Sequence, residues 1–238
     1  VNVKNETVEY NFSVDPNTWT PWITGEEQGE RYSCSFESYY TETKVSQMPS
    51  KRLSILPLLA DMGNGVKVAV TDVGDLDYPG MYVHSNFKNG NGLKGEFPGY
   101  PDLKNSDLNG QGYANFVKLF RKDYIARVGG KQPLSWKVAV ITEKDAQLAD
   151  CDIVRKLCDG TSKGDYSWVK TGKVAWDWWN ALNVTGLDFA SGMNTPTYKH
   201  YIDFAAANKL EYIIIDDGWD SPNVLQFKPE CNIPEIVN

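Results

Sequence analysis

Acidic and aromatic side chains stand together at the end of an apolar segment near the C-terminus. Residues 210–215 show no polar alternation, and they run into Asp216, Asp217 and Trp219. A strand that is apolar on both faces belongs in a parallel sheet covered by helices. A β/α barrel places its chemistry at the carboxyl ends of such strands. The pattern therefore predicts a ligand-binding site here, with the alternative that the aspartates only cap the following loop.

A second apolar segment, residues 174–179, is rich in tryptophan and is predicted to be a strand. It contains Trp176, Trp178 and Trp179. Alternation along a strand would turn Trp176 and Trp178 to one face, and Asp177 and Trp179 to the other. We therefore expect at least one tryptophan to belong to the core and another to stack on a ligand.

A helix is predicted between these two strands. Thr195 offers a hydroxyl at the N-cap, with a proline at the first helical position. Tyr198, Ile202 and Ala205 follow as one buried stripe. The β-α-β order is the unit of a β/α barrel, which needs eight units and roughly 250 residues. Only 65 residues follow Lys173, so we expect the chain to lack the remainder of its own barrel.

The N-terminal part of the sequence has the period of β structure. Apolar residues alternate with polar ones in 8–14, 66–70 and 136–140, and turn clusters rich in glycine, proline and asparagine separate them. The texture changes after about Glu143. We predict an antiparallel β-sandwich over residues 1–165, and over residues 166–238 the start of an incomplete (β/α)8 TIM barrel.

Charge and composition exclude several classes of function. The net charge is −7, and no basic run is longer than two residues, so we expect no nucleic-acid partner. We expect no membrane insertion, because no apolar run is long enough to span a bilayer. The cysteines and the two histidines lack the spacing of a zinc site. Within a helix, Cys151 and Cys158 would lie about 10 Å apart, too far for a disulfide.

Seven short segments carry a distinctive pattern when they are taken in order. They are residues 71–76 (TDVGDL), 78–82 (YPGMY), 123–127 (DYIAR), 165–180 (DYSWVKTGKVAWDWWN), 194–198 (NTPTY), 201–206 (YIDFAA) and 216–219 (DDGW). This ordered series resembles the family 97 glycoside hydrolases of Bacteroidetes. The resemblance covers the chain from about Phe36 to Glu235.

The resemblance implies an architecture and an activity. Members have an N-terminal β-supersandwich, a (β/α)8 barrel and a small C-terminal β domain. They hydrolyse terminal α-linked sugars with a calcium ion at the active site, and we expect a periplasmic or secreted location. The inverting branch tends to carry Val-Glu-Gly-Trp where this chain has Asp-Asp-Gly-Trp at 216–219. A retaining α-galactosidase is therefore expected, acting on an oligosaccharide or α-galactoside. The alternatives are an inverting α-glucosidase acting on α-glucosides, or a non-catalytic carbohydrate-binding protein if the gene ends here.

The resemblance also assigns roles to residues. Both catalytic groups, a nucleophile and an acid/base, are expected C-terminal to Asn238, so no catalytic residue is expected in this chain. Asp72 occupies the position of a calcium ligand that is commonly Glu in the family, with a plain turn aspartate as the alternative. The expected substrate-binding residues are Trp176, Trp178, Asp216, Asp217 and Trp219.

Overall fold

The chain forms two compact units. The computed structural model describes residues 1–21, 32, 38–49, 52–86, 91–104, 120–131, 133–158, 164–221 and 224–238. The first unit contains the described residues up to Cys158, and the second contains those from Gly164 onward. The boundary predicted between residues 165 and 166 stays a prediction.

The described part of the first unit contains ten strands, all of them paired antiparallel. They are β1 (Asn2–Val3), β2 (Glu9–Asn11), β3 (Asn17–Thr20), β4 (Thr41–Lys44), β5 (Leu58–Asp61), β6 (Lys67–Val73), β7 (Tyr82–Asn86), β8 (Gly92–Glu96), β9 (Ala126–Arg127) and β10 (Trp136–Thr142). Five of them form one sheet in the order β10-β6-β5-β3-β4. A three-stranded sheet has the order β2-β8-β7, and β1 pairs with β9.

One hydrophobic core joins the two larger sheets. Leu58 and Val70 enter it from the five-stranded sheet, and Val83 and Leu93 enter it from the three-stranded sheet; all four are fully buried. Side chains from facing sheets that share one core define a sandwich. The predicted antiparallel sandwich is therefore confirmed.

The predicted strand alternation is confirmed in β6 and β10, which pair antiparallel along their whole length. Val68 and Val70 turn inward from β6, as the period of two requires. The expectation that Trp136 shares the buried face of Val138 is wrong, because Trp136 is 56% exposed. It begins β10, which lies at one end of the described sheet order.

Two short helices follow the sandwich. α1 (Ala146–Ala149) and α2 (Ile153–Leu157) are separated by a break that includes Cys151. Cys151 and Cys158 are both exposed free thiols. The separation predicted for them assumed one continuous helix, and the break at Cys151 rules that helix out. Cys34 lies outside the described residues.

The second unit contains the predicted β-α-β order. Its elements are β11 (Val174–Trp176), α3 (Thr195–Ala207), β12 (Tyr212–Ile214), β13 (Asp220–Ser221), β14 (Val224–Phe227) and α4 (Ile233–Val237). β11 and β12 pair in parallel, with Val174 opposite Tyr212 and Trp176 opposite Ile214. Among the described residues, no helix has the length and the apolar character needed to cross a membrane.

Helix α3 begins one residue earlier than the sequence indicated. The N-cap is Asn194, whose side-chain oxygen accepts the backbone N–H of Thr197 at 3.0 Å. Thr195 lies inside the first turn instead, and its hydroxyl donates to the carbonyl of Glu230 at 3.2 Å. The predicted stripe is confirmed, since Tyr198 and Ala205 are buried in the core of the second unit.

Candidate functional site

The carboxyl ends of β11 and β12 lie at one edge because the two strands are parallel. β11 ends at Trp176, and β12 ends at Ile214, two residues before Asp216. The indole N–H of Trp176 donates to Oδ2 of Asp216 at 3.0 Å. The structure therefore brings the two predicted segments into direct contact.

The three neighbouring tryptophans form a stacked, exposed group at this edge. The ring of Trp176 lies 5.0 Å from that of Trp178 and 6.5 Å from that of Trp179, at interplanar angles of 26° and 23°. Their exposed fractions are 36%, 59% and 79% respectively. The expectation that one of them belongs to the core is wrong. The chain leaves the strand at Asp177 and enters a 3-10 turn over Trp178–Asn180, so strand alternation does not apply to Trp178 and Trp179.

The two adjacent aspartates have different surroundings. Asp216 is half-buried, and its second oxygen, Oδ1, accepts the backbone N–H of Asp217 at 2.7 Å. Asp217 itself is exposed. Both follow the end of β12 and lie in a turn that continues through Gly218, whose φ of 104° suits only glycine well. The loop-capping alternative thus describes part of what Asp216 does, and the carboxylate of Asp217 is open to solvent.

Trp219 is mainly a packing residue in this structure. It is partly buried against the core of the second unit, and its ring lies 6.0 Å from the ring of Phe227 on β14. Its backbone carbonyl also accepts the N–H of Lys228 at 2.9 Å. Its predicted contact with substrate stays a prediction.

Asp177 is the residue that sequence reasoning missed. Its side chain is only 1% exposed. Its carboxylate accepts the hydroxyl of Tyr198, and both of its oxygens lie 3.2 Å from the backbone nitrogen of Asp216, which donates to them. Burial, with Asp177 adding to it, raises the pKa of the Tyr198 hydroxyl well above its usual value. No local pattern marked it as buried, because its partners are 21 and 39 residues away in the sequence.

Asp72 belongs to the first unit, on β6. One of its oxygens accepts the backbone N–H of Met81 at 2.6 Å. Asp75 lies close by, and burial, followed by the charge of Asp72, raises its pKa to about 6. In the described part of the chain, Oδ1 of Asp75 is buried and has no hydrogen-bond partner.

The carboxylates of Asp72 and Asp75 bear on the expectation that Asp72 is a calcium ligand. Calcium takes six to eight oxygen ligands, carboxylates among them. Asp72 and Asp75 offer the right type of oxygen. However, no group of three or more His, Cys, Asp or Glu able to hold a metal occurs among the described residues. The described side chains therefore fit calcium in type but not in number.

Two family models and one relative match the sequence. The model described as Glycosyl-hydrolase 97 N-terminal matches residues 1–159, and the model described as Glycoside hydrolase 97 matches residues 178–238. A retaining alpha-galactosidase of Bacteroides thetaiotaomicron is 37% identical over 242 residues. That match covers 99% of this chain and 36% of the relative, so the chain spans about a third of the relative's length.

Solved structures share the fold. A family 97 glycoside hydrolase from Pseudoalteromonas sp. strain K8, in complex with acarbose, has a TM-score of 0.63 and 19% identity, covering 98% of this chain and 33% of that one. A beta-arabinopyranosidase has a TM-score of 0.60 and 22% identity, covering 91% and 31% of the two chains. At these identities the likeness concerns the fold alone. The two family models together match most of the sequence, and the chain belongs to glycoside hydrolase family 97.

Proposed function

We propose that the protein to which this chain belongs hydrolyses terminal α-linked sugars, with an α-galactoside as substrate and with retention of anomeric configuration. The observation that carries the proposal is the 37% identity to a retaining alpha-galactosidase across 99% of the chain. The solved structures are at most 22% identical and add nothing about the sugar.

In this proposal the edge of β11 and β12 supplies sugar contacts. The exposed carboxylate of Asp217 can accept hydrogen bonds from sugar hydroxyls. The exposed parts of Trp176 and Trp178, which stack on each other, offer flat apolar area for a sugar ring. Asp216 is already engaged by the indole of Trp176, so a sugar hydroxyl would bind beside that contact.

Retaining hydrolysis requires two carboxyl groups about 5 Å apart, one as nucleophile and one as acid/base. We assign neither role to a described residue. Asp177 is enclosed by Tyr198 and the backbone of Asp216, which keeps it from a sugar. The placement of both catalytic groups C-terminal to Asn238 stays a prediction.

Calcium is part of the proposal through Asp72. Its carboxylate would supply one hard oxygen ligand, and the others would come from residues outside the described set. The proximity of Asp75, with one buried oxygen that lacks a partner in the described chain, supports a cation at this place. The proposed periplasmic or secreted location depends on the family resemblance alone.

The test compares para-nitrophenyl α-galactoside with the corresponding α-glucoside. The enzyme would be this chain joined to the rest of its catalytic domain. We expect faster release from the galactoside, with α-galactose as the first product seen by proton NMR, and loss of activity in chelator. A β-anomeric first product would favour the inverting α-glucosidase alternative. Inactivity on every α-glycoside would remove the proposal.

A carbohydrate-binding role is the second candidate, favoured by one observation. The exposed tryptophan group stands at an edge to which we assign no catalytic carboxylate. Calorimetric titration of the chain with methyl α-galactoside separates the two candidates. Binding by the chain, combined with inactivity of the extended protein, would favour this alternative.

A further inference from the structure

We infer that Asp177 is a positioning residue that holds the turn carrying Asp216, and thereby orients the Asp216 carboxylate at the ligand-facing edge. The inference rests on the proposed function, in which this edge contacts the sugar. Asp177 itself touches no ligand in this scheme. It acts through Asp216.

Asp177 lies among three elements of the second unit. It directly follows β11, its carboxylate accepts the hydroxyl of Tyr198 on α3, and it accepts the backbone N–H of Asp216 beyond β12. Tyr198 is fully buried. One carboxylate therefore ties the helix and the second strand of the β-α-β unit to the end of the first strand.

Placing a carboxylate at the buried position of Asp177 costs free energy. A buried charge is tolerated only when hydrogen bonds compensate for lost hydration. Asp177 has three such contacts, from one hydroxyl and from one N–H that reaches both oxygens. Burial raises the pKa of Tyr198, so its hydroxyl remains a donor over the usual pH range. Packing alone would be served by an apolar residue, whereas a carboxylate fixes the direction of its donors.

Asp216 is held by contacts from the neighbouring residues Trp176 and Asp177. Asp177 holds its backbone N–H, while the neighbouring Trp176 donates its indole N–H to Oδ2. The other oxygen accepts the N–H of Asp217 at 2.7 Å. Consecutive residues of one segment thus fix the backbone and the side chain of Asp216. Such pre-organisation is what a binding group needs, because small displacements weaken its contacts strongly.

The test uses the indole peak of Trp176 in proton–nitrogen NMR spectra of the chain, assigned by its loss in Trp176→Phe. A hydrogen bond to a carboxylate moves this proton downfield. Asp216→Asn removes the charge that the indole faces, so the peak should move upfield. We expect Asp177→Asn to move it in the same direction, by at least half as much. A folded Asp177→Asn protein with an unmoved peak overturns the inference.

A milder variant keeps the test decisive if Asp177→Asn does not fold. Tyr198→Phe removes one hydroxyl that Asp177 accepts, and we expect the backbone amide peak of Asp216 to move. The matched control is Tyr201→Phe on the same helix, whose hydroxyl donates to Asn180 instead. If Tyr198→Phe leaves the Asp216 amide no more affected than this control does, Asp177 does not position the turn.

Kinetics of the chain joined to the rest of its catalytic domain provide a second readout. Loss of a hydrogen bond to a charged group predicts a fall in kcat/KM of about tenfold for Asp216→Asn. Asp177→Asn should raise KM, and it should add nothing in the Asp216→Asn background, since it acts through that residue. Additive losses contradict the inference. Complete inactivity of the unmutated protein removes only the proposed function, because the NMR result is independent of turnover.

Discussion

A stability measurement distinguishes two assignments of the N-cap of α3. The structure assigns the N-cap to Asn194, whereas the sequence pattern indicated Thr195. Replacing Asn194 by Ala removes an acceptor for the backbone N–H of Thr197 at 3.0 Å and for its hydroxyl at 2.8 Å. Loss of an N-cap costs about 1 kcal/mol. The buried hydroxyl of Thr197 also loses its acceptor and keeps the N–H of Gly192 as a donor to it, which costs about 1 kcal/mol more. We expect Asn194→Ala to lower the free energy of unfolding of the second unit by about 2 kcal/mol.

Urea denaturation followed by tryptophan fluorescence measures this effect. Five of the eight tryptophans lie between residues 166 and 238, so the signal reports mainly on the second unit. A loss of about 2 kcal/mol lowers the midpoint by about 1 M. Asn194→Asp keeps the acceptor and should lose less than about 0.5 kcal/mol. Asn208→Ala, at the exposed C-cap of the same helix, is the matched control. Equal losses in Asn194→Ala and Asn208→Ala would refute the assignment of Asn194 as the cap.

Two further predictions concern titratable groups. The pKa of Asp75 is raised to about 6, so the folded state binds this proton more tightly than the unfolded state. Protonation of Asp75 therefore contributes to the free energy of unfolding. This contribution is fully present below about pH 4 and is lost as the pH rises through about 6. In EDTA at pH 7 we expect Asp75→Asn to stabilise the first unit by about 1 kcal/mol after allowance for solvent screening. At pH 4 we expect no gain in stability. A gain that does not depend on pH, or an equal gain in the exposed control Asp150→Asn, would contradict this prediction. Burial also raises the pKa of the Cys231 thiol. Thiol labelling followed by peptide mapping should therefore modify the exposed Cys151 and Cys158 in the native protein, and Cys231 only after unfolding. Labelling of Cys231 in the native protein as fast as Cys151 and Cys158 would contradict the structure.

The elements that follow from a regular period could be predicted from the sequence. The alternation at residues 66–70 and 136–140 indicates β6 and β10, which pair along their length. The apolar run at 210–215 indicates the parallel strand β12. In each case a periodic pattern is sufficient to predict the strand, because residues that are neighbours in sequence show whether one face or both faces are buried.

The turn after β11 could not be predicted in this way. Ala181 and Leu182 have positive φ angles of 51° and 56°, a conformation that pattern rules reserve for glycine and asparagine. The backbone N–H of Leu182 donates to the carbonyl of Asp177 at 3.0 Å, which closes the turn. Because this turn begins immediately after Trp176, the directions of Trp178 and Trp179 are set by the turn and not by strand alternation.

Asp177 was missed for a different reason. Its partners, Tyr198 and the backbone of Asp216, are 21 and 39 residues away in sequence. A local pattern contains no information about donors at such distances, so a carboxylate among tryptophans gives no sign of being buried. The folded β-α-β unit supplies these hydrogen-bond donors, and they compensate for the cost of burying the carboxylate of Asp177.

The edge of β11 and β12 separates residues that are fixed from residues that are available to a ligand. Asp216 is held through its backbone and both of its oxygens, and Trp219 is engaged with Phe227. Asp217 and Trp178 are exposed. A ligand that stacked on Trp219 would compete with its packing against Phe227 and the core, whereas Trp178 is 59% exposed beyond its stack on Trp176. We therefore expect Trp178→Ala to weaken sugar binding more than Trp219→Phe, a substitution that keeps an aromatic ring against Phe227.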